Sequence, residues 1–290
     1  MRRVCSGSQV GSLPAPNAAV GTPGFFNAAA PGLGVNPTVP APDWFNIVQE
    51  ELVSILTKAG TAPDDTGATV NQVLTSLIAM LSPTPWLIED RTVGTTTVAA
   101  PAWATRVEVI CVGGGGGGSN CQASGSTVAT TNASGGGGSS GRAEWGVYTV
   151  TPGNNYSLTV GQGGAPQANG DTTSFDSLVS AAGGVGTSFT STGFSPGAAS
   201  ANATGNPGNI VSLPGGSGTD GQAGSFVFSG NGGSTPLGFG SGGRAADYSG
   251  GSNGGGFGGG GSGVYDSSFS GSSRSAGSGA PGVILYRWLP

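Results

Sequence analysis

From residue 43 to 82 apolar side chains recur at helical spacing. Trp44, Ile47, Val48, Leu52, Ile55, Leu56 and Ala59 fall on one face of a first helix, with Asp43 placed to cap its start and Gly60 as the residue just past its end. After the polar turn "TAPDDTGA", Val70, Val73, Leu74, Leu77, Ile78 and Leu81 make the stripe of a second helix. Thr69 and Gln72 form a capping box at its start, and Ser82-Pro83 ends it. Two amphipathic helices joined by a short turn predict an antiparallel hairpin. Such a hairpin buries too little to stand alone, so it calls for copies of itself or another protein.

Further on the period changes from helical to alternating. Strand-like runs lie at Arg91–Ala99, Arg106–Val112, Glu144–Val150, Tyr156–Val160, Ser174–Ser180 and Val283–Trp288. The runs on either side of Pro152-Gly153-Asn154-Asn155 predict a β-hairpin, since those four residues carry turn chemistry. The closing run "GVILYRW" is the most apolar late segment, and pairing it with Arg106–Val112 would close a β-sandwich.

Composition then changes the picture of what joins the strands. Glycine supplies 60 of 290 residues, and only nine of these precede residue 113. The stretch "VEVICVGGGGGG" satisfies the dinucleotide spacing G-x-G-x-x-G, but six consecutive glycines satisfy any glycine spacing. No helical stripe follows, and no acidic residue appears before Glu144, so a nucleotide cofactor is not expected. Pure flexibility is a poor account as well, because Phe189, Phe194, Phe226, Phe228, Phe239, Phe257 and Phe269 interrupt the region. Gly215, Gly218, Gly221 and Gly224 recur every third residue, the period of a polyproline-type helix, and glycine lets such segments approach closely enough for backbone hydrogen bonds. The expectation is a glycine-packed scaffold, either of left-handed polyglycine-II-type segments or of short irregular strands, with aromatic-bearing loops at its ends.

The fold class is therefore mostly β: an N-terminal extended arm and a short α-helical hairpin, then a glycine-rich β-sandwich-like domain. The divisions are 1–42 (attachment arm, rich in Pro, Gly, Ala and Asn), 43–82 (helical hairpin), 83–103 (linker) and 104–290 (glycine-rich β domain). Charge is sparse, 8% of residues with a net of −5, which removes both charge-driven disorder and a basic nucleic-acid footprint. There is no histidine and hence no histidine-dependent catalysis. The acids Glu108, Glu144, Asp171, Asp176, Asp220, Asp247 and Asp266 are scattered singly, and no metal-ligand spacing is visible, so neither a metal nor a cofactor is expected. Cys5, Cys111 and Cys121 read as free thiols, with a Cys111–Cys121 bridge as the other reading. The N-terminus lacks the apolar core of a secretory signal, so synthesis in a host cytoplasm is expected.

Two stretches resemble a known family. "PDWFNIVQEELVSILTKAGTAPDD" and "VNQVLTSLIAML" are similar to a segment of tail-fibre and appendage proteins of tailed bacteriophages and prophages, through Trp44, Phe45, Asn46, Val48, Gln49, Glu50, Glu51, Ala59, Gly60, Pro63 and Asp64. "WATRVEVICVGGGGGG", "WGVYTVTPGNNYSLTVGQGG", "TTSFDSLVSAAGG" and "GAPGVILYRW" resemble the glycine-rich C-terminal domain of some phage fibres and adhesins. The resemblance implies a virion component at the tail, a homotrimer, its N-terminal part towards the particle and its C-terminal part towards the host.

Candidate residues follow from both readings. Phe25 and Phe26 in the arm, with Trp44, Phe45, Leu52, Ile55, Leu74 and Leu77 in the hairpin, are candidates for attachment or oligomer contacts with other phage tail or baseplate proteins. Phe239, Tyr248, Phe257, Tyr265 and Phe269 lie among glycines and serines, the composition of rigid aromatic anchors on adaptable loops. With Arg244 and Arg274 near them they are candidates for binding a bacterial surface receptor: a glycan, an outer-membrane protein or a pilus. The competing reading places these rings in the sparse core of the glycine-rich domain. Two other function classes stay open: a structural connector of the virion, and a polysaccharide depolymerase working with two carboxylates.

Overall fold

In a computed structural model of the chain the described residues are 12, 42–64, 68–81, 89–90, 92–122, 133–189, 195–200, 206–222, 227–244, 246–247 and 250–290. The arm, with Phe25 and Phe26, and Tyr248 lie outside them. Two compact units divide the chain, Met1–Pro83 and Thr84–Pro290.

In the first unit, helix α1 (Pro42–Lys58) and helix α2 (Gln72–Leu81) pack on one another. Gly60 has φ +72°, and the bonds Thr61 N–H to Leu56 O (2.9 Å) and Gly60 N–H to Thr57 O (3.0 Å) close α1 with a Schellman motif. The starts differ from the expected caps. Pro42 occupies the first turn of α1, a place where its missing N–H costs nothing, and Asp43 sits inside the helix. In α2 the capping place falls to Asn71, whose carbonyl accepts the Thr75 N–H. Gln72 is turned to the connection instead, donating to Ala62 O and accepting from Asp64 N–H, both 3.0 Å.

The second unit is built on a sandwich that continues into a glycine bundle. Its strands are β1 (Glu89–Asp90), β2 (Gly94–Ala99), β3 (Arg106–Val112), β4 (Cys121–Gln122), β5 (Ala143–Thr149), β6 (Asn155–Val160), β7 (Thr173–Phe175), β8 (Val179–Ala181), β9 (Val211–Leu213), β10 (Gly240–Ser241), β11 (Ala246–Asp247), β12 (Gly255–Gly256), β13 (Val264–Tyr265), β14 (Ser273–Arg274) and β15 (Val283–Leu289). One sheet has the order β1-β15-β3-β5-β9, the other β2-β6-β7-β8. β15 pairs antiparallel with β3 along its whole length, from Val283↔Val112 to Leu289↔Arg106. Alternation puts Val107, Val109 and Cys111 of β3 and Ile284, Tyr286 and Trp288 of β15 on the inner face, against Tyr156, Leu158, Val160, Phe175 and Val179 of the facing sheet. Phe175 lies edge-on to Tyr286 with centroids 5.4 Å apart. Ring pairs of this kind add about 0.5–1.5 kcal/mol each beyond simple burial.

Two expectations are corrected here. The residues 151–154 do turn, with Gly153 at φ +79°, but β5 and β6 belong to different sheets, so the turn is an arch between sheets and not a hairpin. The run 174–180 is two short strands, broken at Asp176, whose φ of +48° reverses the chain.

Above the sandwich the glycine-rich segments run side by side. Their hydrogen bonding has a period of three. Gly113, Gly116 and Ser119 donate to Arg142, Ser139 and Gly136; Gly114 and Gly117 donate to Asp171 and Ala168; Gly115 and Gly118 donate to Ala280 and Gly277. The carbonyls of the same segment accept from Gly184 and Thr187, from Gly164 and Gln167, and from Gly261. A helix with three residues per turn and no internal bonds points successive amides about 120° apart, so each segment bonds neighbours all around it. These bonds are those of a polyglycine II array. The segment 134–142 repeats the pattern, donating to 182–185, 216–219 and 258–264 and accepting from 116–119, 195–198 and 230–233.

The close spacing leaves no room for side chains. A Cβ on Gly115 would lie 2.0 Å from the Gly259 carbonyl oxygen, and one on Gly116 would lie 2.2 Å from that of Val185. The triplet glycines Gly215 and Gly218 meet the same limit, at 2.1 Å from Ser140 O and 1.9 Å from Gly137 O. Serine enters where its hydroxyl replaces a partner: Ser140 Oγ accepts the Gly216 N–H at 2.8 Å and donates to Ser234 O at 3.0 Å. At the seam between bundle and sheet, buried Glu144 accepts from Arg142 Nε (3.0 Å) and from the Gly208 N–H (2.9 Å).

Candidate functional site

The segment 113–119 leaves β3 and runs antiparallel to 134–142, which returns into β5. Residues 161–164 continue β6 alongside it, and 275–282 come back down into β15. The described ends of the connections (119–122 and 133–134, 187–189 and 195, 221–222 and 227–229, 244, 246–247 and 250, and 265–274) therefore gather at the end of the bundle away from the sandwich.

Described residues of four of these connections meet in an aromatic cluster there. Val264 and Tyr265 pair in parallel with Ala246 and Asp247, and Tyr265 also bridges to Ser134. Phe228 is fixed by the bonds Gln222 N–H to Phe228 O (2.7 Å) and Phe228 N–H to Gln222 O (3.2 Å), and Ser134 Oγ donates to the same Phe228 carbonyl. Its ring stacks obliquely on Tyr265 with centroids 5.7 Å apart and an interplanar angle of 51°. Phe228 is 50% exposed. Tyr265 and Phe269 pack their inner edges on Ala133 and Val227. Phe269 has φ +53°, a left-handed conformation that only a fixed turn imposes on phenylalanine.

That turn is fixed by Asp266. Its buried carboxylate accepts the Ser268 N–H (3.2 Å) and hydroxyl (3.1 Å) on one oxygen, and the Ser270 N–H (2.9 Å) and hydroxyl (2.6 Å) on the other. Burial works to raise its pKa, but the bonds from Ser270 and then Ser268 together outweigh it, and the carboxyl is held below its ordinary value. Arg274 Nη2 reaches Ser270 Oγ at 3.4 Å.

The sequence candidates separate into two places. Tyr265, Phe269 and Arg274 stand in the far-end cluster, and Arg244 is exposed where the connection 244–250 begins. Phe239 and Phe257 do not. They face each other across a turn halfway along the unit, where Phe257 N–H donates to Phe239 O at 2.9 Å, and they pack on Val112, Ala143 and Val283 beside Ile110 and Leu285. As tip residues they are corrected: their rings cover the outer face of the five-stranded sheet. Phe228 was the ring sequence reasoning passed over, although its apolar neighbours in "SFVFSG" are a local signal for a packed loop.

In the helical unit Trp44 and Phe45 form an edge-to-face pair and stay exposed, Trp44 by 46%, and Leu74 is 59% exposed. Leu52, Ile55 and Leu77 are half-buried, while Val53, Leu56 and Ser76 form the buried contact. Cys111 and Cys121 are buried and not bridged to each other, and burial pushes the Cys111 thiol far up. Among the described residues no group of three or more metal-ligating side chains comes together, and no helix is long and apolar enough to cross a membrane.

A sandwich whose strands run on into a polyglycine II bundle defines a glycine-rich β protein. Residues 91–289 match the family model described as a glycine-rich domain, and the chain belongs to that family. No curated protein matches the chain.

Proposed function

We propose that this chain is a tail-fibre or tail-tip component of a bacteriophage virion that binds a bacterial surface receptor during adsorption. The observation that carries the reading is the far-end cluster: the half-exposed Phe228 stacked on Tyr265, on loops mounted on a backbone-bonded bundle. Aromatic rings held on a stiff mount supply contact area at small cost in conformational freedom, which is what a binding tip requires. The exposed Trp44, Phe45 and Leu74 of the helical unit support the other half of the proposal, attachment to tail proteins and to further copies of the chain as a homotrimer. The receptor classes are a surface glycan, an outer-membrane protein or a pilus. Catalysis has no part in this reading.

The test is binding of the labelled whole chain to a panel of bacterial strains, counted by flow cytometry, beside Phe228→Ala and Tyr265→Ala. Strain-selective binding that falls at least about tenfold in both variants is the expected result. No binding by the folded, assembled chain on a panel that includes its host overturns the proposal and leaves the connector reading.

A further inference from the structure

The helical hairpin closes through a small contact. Among its described residues only Val53, Leu56 and Ser76 are buried. So small an apolar core does not hold a fold of this size. A second apolar stripe runs along α1 beside that contact: Phe45, Val48, Leu52 and Ile55, with Ala59 just past the helix end. Its steps alternate between three and four residues, the spacing of a coiled-coil seam. That register puts Phe45, Leu52 and Ala59 at the first core position and Val48 and Ile55 at the second. No residue of the stripe is charged. Phe45 is 54% and Val48 37% exposed, and Leu52 and Ile55 are half-buried.

We infer that this stripe is the seam of the homotrimer, with α1 of three copies of the chain packed side by side in parallel. The inference rests on the homotrimer part of the proposed function and names the surface that forms it. The repeat is the first argument, since a heptad stripe fits a helix of the same repeat, and every further copy of α1 brings one. Charge sets the direction. The positions flanking the seam are Trp44, Gln49, Glu51, Leu56 and Lys58. Run antiparallel with Val48 opposite Leu52, two Glu51 side chains would face each other; run in parallel, no like charges meet. Side-chain shape sets the number. Leucine at the first core position, with the β-branched Val48 and Ile55 at the second, moves the preference from two strands to three or four. The seam is short, but each α1 is already held helical by α2 and by the Schellman motif at its end, so association does not have to supply helix formation.

The test is the mass of the whole chain by sedimentation equilibrium, beside Phe45→Glu and Val48→Glu on the seam and Ile47→Glu as the comparison. Ile47 is apolar and 48% exposed, but it lies off the stripe. The wild type and Ile47→Glu are expected at the mass of three chains. Both seam variants are expected about threefold lighter, because a carboxylate at a core position would be buried without a partner. All three substitutions are at exposed positions, and a far-UV spectrum checks that each variant keeps its helices. A wild-type mass of one or two chains, or an equal fall in Ile47→Glu, overturns the inference. Three chains in the wild type and in both seam variants sinks the seam and leaves the homotrimer standing. A single chain that still binds strains selectively sinks seam and homotrimer together, while the receptor-binding reading stands.

Discussion

The sandwich and the bundle belong to one unit and are held together by opposite means. In the sandwich the contacts are side chains: Phe175, Leu158, Tyr286 and Trp288 lock two sheets through removal of apolar surface from water. In the bundle the contacts are main chain, and a side chain is what the packing cannot accept. Each bundle hydrogen bond contributes only about 0.5–1.5 kcal/mol net, and each glycine loses more conformational freedom on ordering than other residues do. The bundle therefore depends on having many bonds at once, and on a base that sets the register of its segments.

The largest effect should come from the base. Phe175→Ala removes the ring that meets Tyr156, Tyr286 and Trp288, and a loss of about 3–5 kcal/mol in denaturant unfolding is expected. Next comes Gly116→Ala, which adds one methyl 2.2 Å from a backbone oxygen. A cost near the top of the range of about 1–3 kcal/mol for overpacking is expected, and a cost below about 0.5 kcal/mol would break the contrast between bundle and sandwich. A smaller effect belongs to the Asp266 turn. Its folded pKa is depressed, so its contribution is complete above the unfolded value of about 3.9 and is lost as pH falls through the lower folded value. Asp266→Asn should cost about 1–2 kcal/mol at neutral pH, with the acid-dependent part of the melting curve flattened. The smallest belongs to Phe228→Ala, expected to change stability by less than about 0.5 kcal/mol while weakening receptor binding.

The two regions also differed in how far they could be read from sequence. The apolarity of "GVILYRW" was enough to pair it with Arg106–Val112, and a strand with one buried face then fixes its register. Alternation did not reveal that β5 and β6 part company at Pro152–Asn155, since turn residues specify a reversal and not the sheet each strand joins. In the bundle, the spacing of Gly215, Gly218 and Gly221 carried the period of three, yet the six glycines at 113–118 held no register, for lack of any side chain to mark a face. The same uniformity hid the difference between Phe257 and Tyr265. Both stand among glycines and serines, and only the levels at which the segments turn put one on the sheet and the other at the tip. The caps of the helices failed for a local reason: Pro42 and Asn71 were better placed than Asp43 and Thr69.

Two bonds bear on how the chain folds. Gly115 N–H donates to Ala280 O, and Gly118 N–H to Gly277 O, so one side of the interior segment is closed by partners far along the chain. Long-range closure of this kind makes folding slow. A chain cut before residue 277 lacks both of these bonds and the whole β3–β15 pair, so the interior segment loses one of its neighbours and the sandwich loses a central strand.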